Sequence, residues 1–177
     1  HGYEAAGVAA IQIEDQEFPK RCAHAQGVRV IDMKDMMRKI EVACESRSRD
    51  GFLVIARTDS LSEYGIDDAI QRANSYAEAG ADMLFVEGAK TRDQLAQIAA
   101  GIEVPMLVKM VPDNPDLSID VTELGEMGYD VIIYPSFAFL AAGAAMDAGF
   151  VELCTKGRVT STPIMEFDAF SKMIGFD

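Results

Sequence analysis

Five short apolar runs punctuate the chain: Val8–Ile13, Phe52–Ala56, Asp82–Val86, Val104–Met110 and Asp130–Tyr134. They lack the period-two alternation of half-exposed strands and read as parallel strands covered on both faces. Between them, apolar positions recur at helical spacing. The pattern predicts a helix over Asp32–Ser48, opened by a capping Asp. A second, Ile66–Ala79, stops before Gly80, and a third, Thr91–Ala100, runs from a Thr cap to Gly101. Thr122–Met127 stops at Gly128, and Phe137–Ala148 stops at Gly149. Repeated β-α alternation predicts an α/β fold with a parallel sheet. After Phe150 the pattern breaks into a polar connection, Lys156–Arg158 and Thr160–Pro163. A last helix, Ile164–Ile174, carries apolar positions Ile164, Phe167, Phe170 and Met173, suited to packing on this fold or a neighbouring subunit.

Two segments echo each other. Tyr3-Glu4-Ala5-Ala6-Gly7 leads into a run ending at Glu14, and Tyr76-Ala77-Glu78-Ala79-Gly80 into one ending at Glu87. The repetition is that of a helix end, a tight turn, a strand and a terminal carboxylate, although any two βα units share that outline.

Polar residues collect where the strands end: Glu14 and Asp15, Arg57-Thr58-Asp59, Glu87, Lys109, and Tyr134-Pro135-Ser136. In a (β/α)8 TIM barrel the active site lies at that C-terminal rim, and the fold takes eight strands and about 250 residues. Five strands are visible in 177 residues, and the chain opens inside a helix. Residues 1–154 are therefore expected to be the last five βα units of a barrel, with 155–177 as connection and helix. The first three units, roughly 100 residues, would lie outside it.

Composition narrows the partners. The chain is 49% hydrophobic and 25% charged, ordinary for a globular domain, and its formal charge is −13. Nucleic acid and anionic membrane surfaces are excluded, since both require a basic face. A small anionic substrate stays possible where local cations gather. Three cysteines make no disulfide framework; Cys44 and Cys154 read as small buried hydrophobes. No apolar run reaches the roughly 18 residues of a membrane span, and no signal peptide is seen, so the expected location is cytoplasmic.

The densest chemistry sits in Glu14-Asp15 and in Lys20-Arg21-Cys22-Ala23-His24. Carboxylates hold hard cations such as Mg²⁺. A thiol flanked by Lys, Arg and His is drawn toward the thiolate. Each residue also has an ordinary reading. Cys22 could be a surface-loop cysteine, and Lys20 and Arg21 a solvated face. Asp15 could pair with a basic residue inside the barrel mouth, Arg57 with Asp59, and Glu87 in a plain salt bridge.

These motifs resemble the isocitrate lyase and phosphoenolpyruvate mutase superfamily. The resemblance rests on Ile13-Glu14-Asp15-Gln16, Lys20–His24, Ala56-Arg57-Thr58-Asp59, Ala79–Met83 and Gly128-Tyr129 with Tyr134-Pro135, in order through the chain. Ala23 stands where the family usually has Gly. The methylisocitrate lyase and 2,3-dimethylmalate lyase branches are the most similar. The resemblance implies a (β/α)8 barrel, a Mg²⁺ (or Mn²⁺) cofactor, and C–C or P–C bond chemistry on 2-hydroxy or 2-oxo acids. It places Glu14 on the metal through water, with Asp15 as a further metal candidate. Cys22 becomes the catalytic thiol, attended by Lys20, Arg21 and His24. Glu87 falls near the reacting hydroxyl, and Ala23, Arg57, Lys109 and Ser136 at the substrate. The aspartates that bind metal directly belong to strands outside this sequence.

Two departures bear on the substrate. Lys109 replaces the Asn of methylisocitrate lyases, and Leu140 replaces an arginine that would clamp a carboxylate. A 2-hydroxy dicarboxylate of the alkylmalate kind fits better than a tricarboxylate. The implied reaction is a retro-aldol (Claisen-type) cleavage releasing pyruvate or a similar 2-oxo acid. The alternatives are a phosphonate P–C mutase or hydrolase, an oxaloacetate decarboxylase, a Schiff-base aldolase using Lys109, and a non-catalytic barrel segment. A homo-oligomer, a tetramer with C-terminal helix exchange, is the expected assembly.

Overall fold

The computed structural model describes residues 1–21, 27–111 and 114–176. The chain forms two compact units, His1–Tyr134 and Pro135–Asp177. In the first, α1 (Gly2–Ala5) precedes β1 (Ala10–Glu14), α2 (Met33–Ser46), β2 (Leu53–Thr58), α3 (Leu61–Tyr64) and α4 (Ile66–Glu78). β3 (Met83–Val86), α5 (Arg92–Ala100), β4 (Met106–Lys109), α6 (Val121–Met127) and β5 (Val131–Ile133) follow. All five strands pair in parallel in the order β1-β2-β3-β4-β5. Sequential parallel strands joined by helices are consecutive βα units of a TIM-barrel-type wall.

Local signals explain the element ends. Asp32 caps α2 by accepting from Lys34 N–H at 2.8 Å, and Thr91 caps α5 by accepting from Gln94 N–H at 3.2 Å. α6 starts one residue before the predicted Thr122, because Asp120 takes the cap and accepts from Glu123 N–H at 2.9 Å. Gly80 turns the chain from α4 into β3 at φ 103°, a conformation that favours glycine.

Strand parity sorts the sheet into two sides. Ala56, Leu84, Val86, Met106 and Val108 pack with Met36, Ile40, Ala73, Tyr76, Leu95, Ile98 and Leu124 of the helices, forming the main core. Met83, Phe85 and Leu107 form a smaller cluster with Ile55, Val131 and Ile133. The predicted two-sided burial holds for β3, whereas β2 alternates: Val54, Ala56 and Thr58 are buried, and Leu53, Ile55 and Arg57 are not. Leu84, fully buried in the main core, illustrates the energetics: truncation to Ala costs about 2–5 kcal/mol.

The second unit holds α7 (Phe137–Lys156) and α8 (Phe167–Ile174). α7 does not stop at Gly149. A glycine inside a helix costs only about 1 kcal/mol relative to Ala, and the helix ends at Gly157, left-handed at φ 67°. The resulting helix of 20 residues is long and apolar enough to cross a membrane by length and composition, contrary to the expectation that no run reaches that length. Cys154, predicted buried, is exposed on it. Glu152 is its buried residue. Its carboxylate accepts from the Thr160 hydroxyl at 2.7 Å and from the Ser161 and Thr162 N–H groups at 2.9 and 3.1 Å. The Thr160 hydroxyl first, then these amides, hold the Glu152 carboxyl well below the usual carboxylate range.

Candidate active site at the strand ends

The register explains why distant acidic and basic residues meet. Glu14 pairs with Arg57, Arg57 with Phe85, Phe85 with Leu107, and Lys109 with Ile133. Every one of these shares the parity of the smaller apolar cluster. Glu87 continues that parity one residue past β3, its N–H donating to Thr58 O at 2.9 Å. Polar heads therefore rise from an apolar floor.

Arg57 is the hub. Its Nε donates to Asp59 Oδ2 at 2.9 Å and its Nη2 to Asp59 Oδ1 at 2.6 Å. Glu14 Oε2 lies 3.6 Å from Nε, and Glu87 Oε2 lies 3.4 Å from Nη2. The guanidinium also sits over the Phe85 ring, 5.1 Å from its centroid. Burial works against its charge, yet Asp59, Glu87 and Glu14 outweigh that and hold Arg57 above its ordinary value. The bidentate fork faces Asp59, as the ion-pair reading of Arg57 anticipated. Nη1 donates no hydrogen bond among the described residues and is the remaining edge toward a ligand.

Lys109 donates to Glu87 Oε1 in a close ion pair. Glu87 is 3% exposed, and among the described residues its Oε2 accepts no hydrogen bond, which leaves an acceptor for a hydroxyl or a water. Lys20 pairs with Glu14 at 2.9 Å from a half-exposed position. Arg21 N–H donates to Gln16 Oε1 at 3.0 Å. Cys22, Ala23 and His24 lie outside the described residues. Nearby, Glu17 N–H donates to Arg29 O and Ile31 N–H to Asp15 O, both at 2.8 Å. Ser136 opens α7 in the second unit, with a buried Oγ that has no hydrogen-bond partner among the described residues.

Asp15 departs from its expectation as a metal candidate. It follows Glu14 with opposite parity, is fully buried, and meets α4. Asp59 N–H donates to its Oδ1 at 2.9 Å, the Tyr76 hydroxyl to its Oδ2 at 2.7 Å, and Arg72 stands 3.6 Å away. Its basic partner is thus a residue of a covering helix. Burial raises the Asp15 carboxyl above its ordinary value, against the Asp59 amide, the Thr58 and Tyr76 hydroxyls and Arg72. Sequence reading missed Tyr76 and Arg72. The available signal was Asp68-x₃-Arg72-x₃-Tyr76, an i, i+4 ladder on one helix.

No three acidic, His or Cys side chains converge as a metal-ligand set among the described residues. What fits a divalent cation is the acceptor chemistry of Glu14 and of Glu87 Oε2, both suited to hydrogen bonds from a cation's waters.

A family profile described as phosphoenolpyruvate phosphomutase matches residues 2–154. The chain is 35% identical to the 2,3-dimethylmalate lyase of Eubacterium barkeri, covering 99% of this chain and 61% of that protein. It is 39% identical to the 2-methylisocitrate lyase of Aeropyrum pernix, covering 87% and 49%. This chain therefore spans about half to three fifths of these relatives' length. A crystal structure of 2,3-dimethylmalate lyase superposes with a TM-score of 0.86 at 35% identity, over 99% of this chain and 59% of that one. A phosphonopyruvate hydrolase in complex with oxalate and Mg²⁺ superposes with 0.80 at 26% identity, over 98% and 61%.

Proposed function

The chain belongs to the phosphoenolpyruvate phosphomutase family, and on that premise we propose that the protein is a divalent-metal-dependent carbon–carbon lyase. Its substrate is a 2-hydroxy dicarboxylate of the alkylmalate class, and its product a 2-oxo acid such as pyruvate. The observation that carries the reading is the strand-end cluster: Arg57 flanked by Glu14 and Glu87, with Lys109 on Glu87. The relatives named as lyases support the C–C choice.

When bound, Mg²⁺ or Mn²⁺ supplies Lewis acidity toward the substrate's oxygens. Glu14 and Glu87 would hold the cation's waters. Arg57 presents Nη1 to a substrate carboxylate, as a charge-assisted donor held in one direction by Asp59. Glu87, through Oε2, which accepts no hydrogen bond among the described residues, takes the proton of the substrate's 2-hydroxyl. The oxygen's electron pair forms the 2-oxo group, and the bond to the adjacent carbon breaks. Its electrons remain on the departing carboxylate fragment as an enediolate-like carbanion. Lys109 offsets the negative charge around Glu87. Cys22, as the thiol, delivers a proton to the carbanion, and Lys20, Arg21 and His24 support the thiolate that this leaves. The backbone at Ala23 completes the substrate contacts. Asp15 has no metal role in this scheme.

The exposed apolar residues of α7 and α8, among them Phe139, Phe150, Phe167 and Phe170, suit contact with a second subunit. We read the full-length protein as a soluble, cytoplasmic homo-oligomer, a tetramer that exchanges its C-terminal helices; light scattering gives the number of subunits.

The test is an assay of the full-length protein on 2-alkylmalates, oxaloacetate and phosphonopyruvate. The expected result is pyruvate release from an alkylmalate, abolished by chelator and restored by Mg²⁺ or Mn²⁺. Turnover of phosphonopyruvate alone would replace C–C with P–C chemistry.

A further inference from the structure

Asp15 ties together three parts of the chain that are far apart in sequence. Its Oδ1 receives the Asp59 N–H, its Oδ2 receives the Tyr76 hydroxyl, and its backbone carbonyl receives the Ile31 N–H. Arg72 closes the group: Nη1 donates to Ile31 O at 3.0 Å and to the Tyr76 hydroxyl at 3.2 Å, and Nε donates to Asp68 at 2.9 Å. Asp59 carries the group to the Arg57 guanidinium through its two side-chain bonds, while the Asp15 N–H meets Arg57 only at its backbone carbonyl, 3.2 Å away.

A buried carboxylate with an arginine and a tyrosine is a poor device for stability alone, because apolar residues of similar volume do as well or better. Such a group does fix direction. Asp59 follows β2, beyond its paired residues, and its N–H is anchored by Asp15. With the backbone set, the Asp59 carboxylate can meet both Nε and Nη2 of Arg57 at once. We infer that Tyr76 and Arg72 are positioning residues, which orient Arg57 through Asp15 and Asp59 from a helix that never reaches the substrate.

The inference rests on Arg57 as the substrate-carboxylate site, and its test has an arm that needs no substrate. In the full-length protein, Tyr76→Phe removes one hydroxyl and keeps the ring that packs in the core. Hydrogen–deuterium exchange then reads the Asp59 amide. Its exchange is expected to rise at least about tenfold, while the amides of Val54, Ile55 and Ala56 in the same strand stay protected. An unchanged Asp59 amide, or an equal rise throughout β2, overturns the inference.

The kinetic arm reads KM against kcat. Tyr76→Phe is expected to raise KM about fivefold and to leave kcat within about twofold, since Arg57 binds the carboxylate in ground and transition states alike. The double variant Tyr76→Phe/Asp59→Asn should have the KM of Asp59→Asn alone, because both changes act on one pathway. A lowered kcat at constant KM, or additive effects, overturns it. If the full-length protein cleaves none of the alkylmalates, the lyase reading fails and the exchange arm still decides this inference.

Discussion

Arg57 and Asp59, two residues apart at the end of β2, close a two-bond ring, Nε to Oδ2 at 2.9 Å and Nη2 to Oδ1 at 2.6 Å. Only a guanidinium can make both bonds while leaving an edge for a ligand. Arg57→Lys is therefore expected to raise KM at least about tenfold, the equivalent of about 1.4 kcal/mol of binding. Steady-state kinetics of the full-length variant check this, and an unchanged KM would remove Arg57 from the substrate site.

Lys109 and Glu87 form an enclosed acid–base pair of the cluster, with side chains 17% and 2% exposed. Removing the ammonium strands a buried carboxylate, so Lys109→Met should cost about 3 kcal/mol of stability. Denaturant unfolding measures it, and Glu87→Gln added to Lys109→Met should restore part of the loss. The Lys109 side chain is engaged by Glu87 in a close ion pair rather than free to attack a carbonyl carbon. Borohydride treatment with substrate should leave Lys109 unmodified; a trapped adduct would establish a Schiff-base aldolase instead.

Cys22→Ser keeps the size of the side chain and loses the acidity of the thiol. In the full-length protein it should bind substrate with near-normal affinity and lose about 100-fold or more in kcat, the scale of a missing general acid. Calorimetric titration with a substrate analogue separates binding from turnover. Full activity in the variant would assign the protonation to another group.

Glu152 anchors the Thr160–Thr162 segment, and its hydrogen bonds lower its pKa from 4.5. A carboxylate whose folded pKa is depressed contributes stability above its unfolded pKa, and that contribution is lost as pH falls through the folded value. Protection of the Ser161 and Thr162 amides should thus persist at neutral pH and decline below about 4.5. Glu152→Gln should expose both amides already at neutral pH. Exchange mass spectrometry over a pH series follows this, and pH-independent protection in the native protein would contradict it.

Much of the scaffold was legible in the sequence. The five apolar runs became the five strands, and the Asp32 and Thr91 caps were readable because capping is a matter of neighbours within one turn. The Tyr–Gly–Glu echo was legible too: Gly7 and Gly80 both turn at positive φ, and Glu14 and Glu87 both end on Arg57. Gly149 misled, because a lone glycine weakens a helix without ending it, and the left-handed stop lay at Gly157.

What the sequence by itself determined is the alternation of elements and the placing of charged residues at strand ends, since both follow from local periodicity. Only the tertiary structure decided which carboxylate serves which role. Glu14 and Asp15 are adjacent and chemically alike, yet one faces Arg57 and the other Tyr76. The cause is strand parity: consecutive side chains point to opposite sides of a sheet, and only the packed sheet shows which side carries the site.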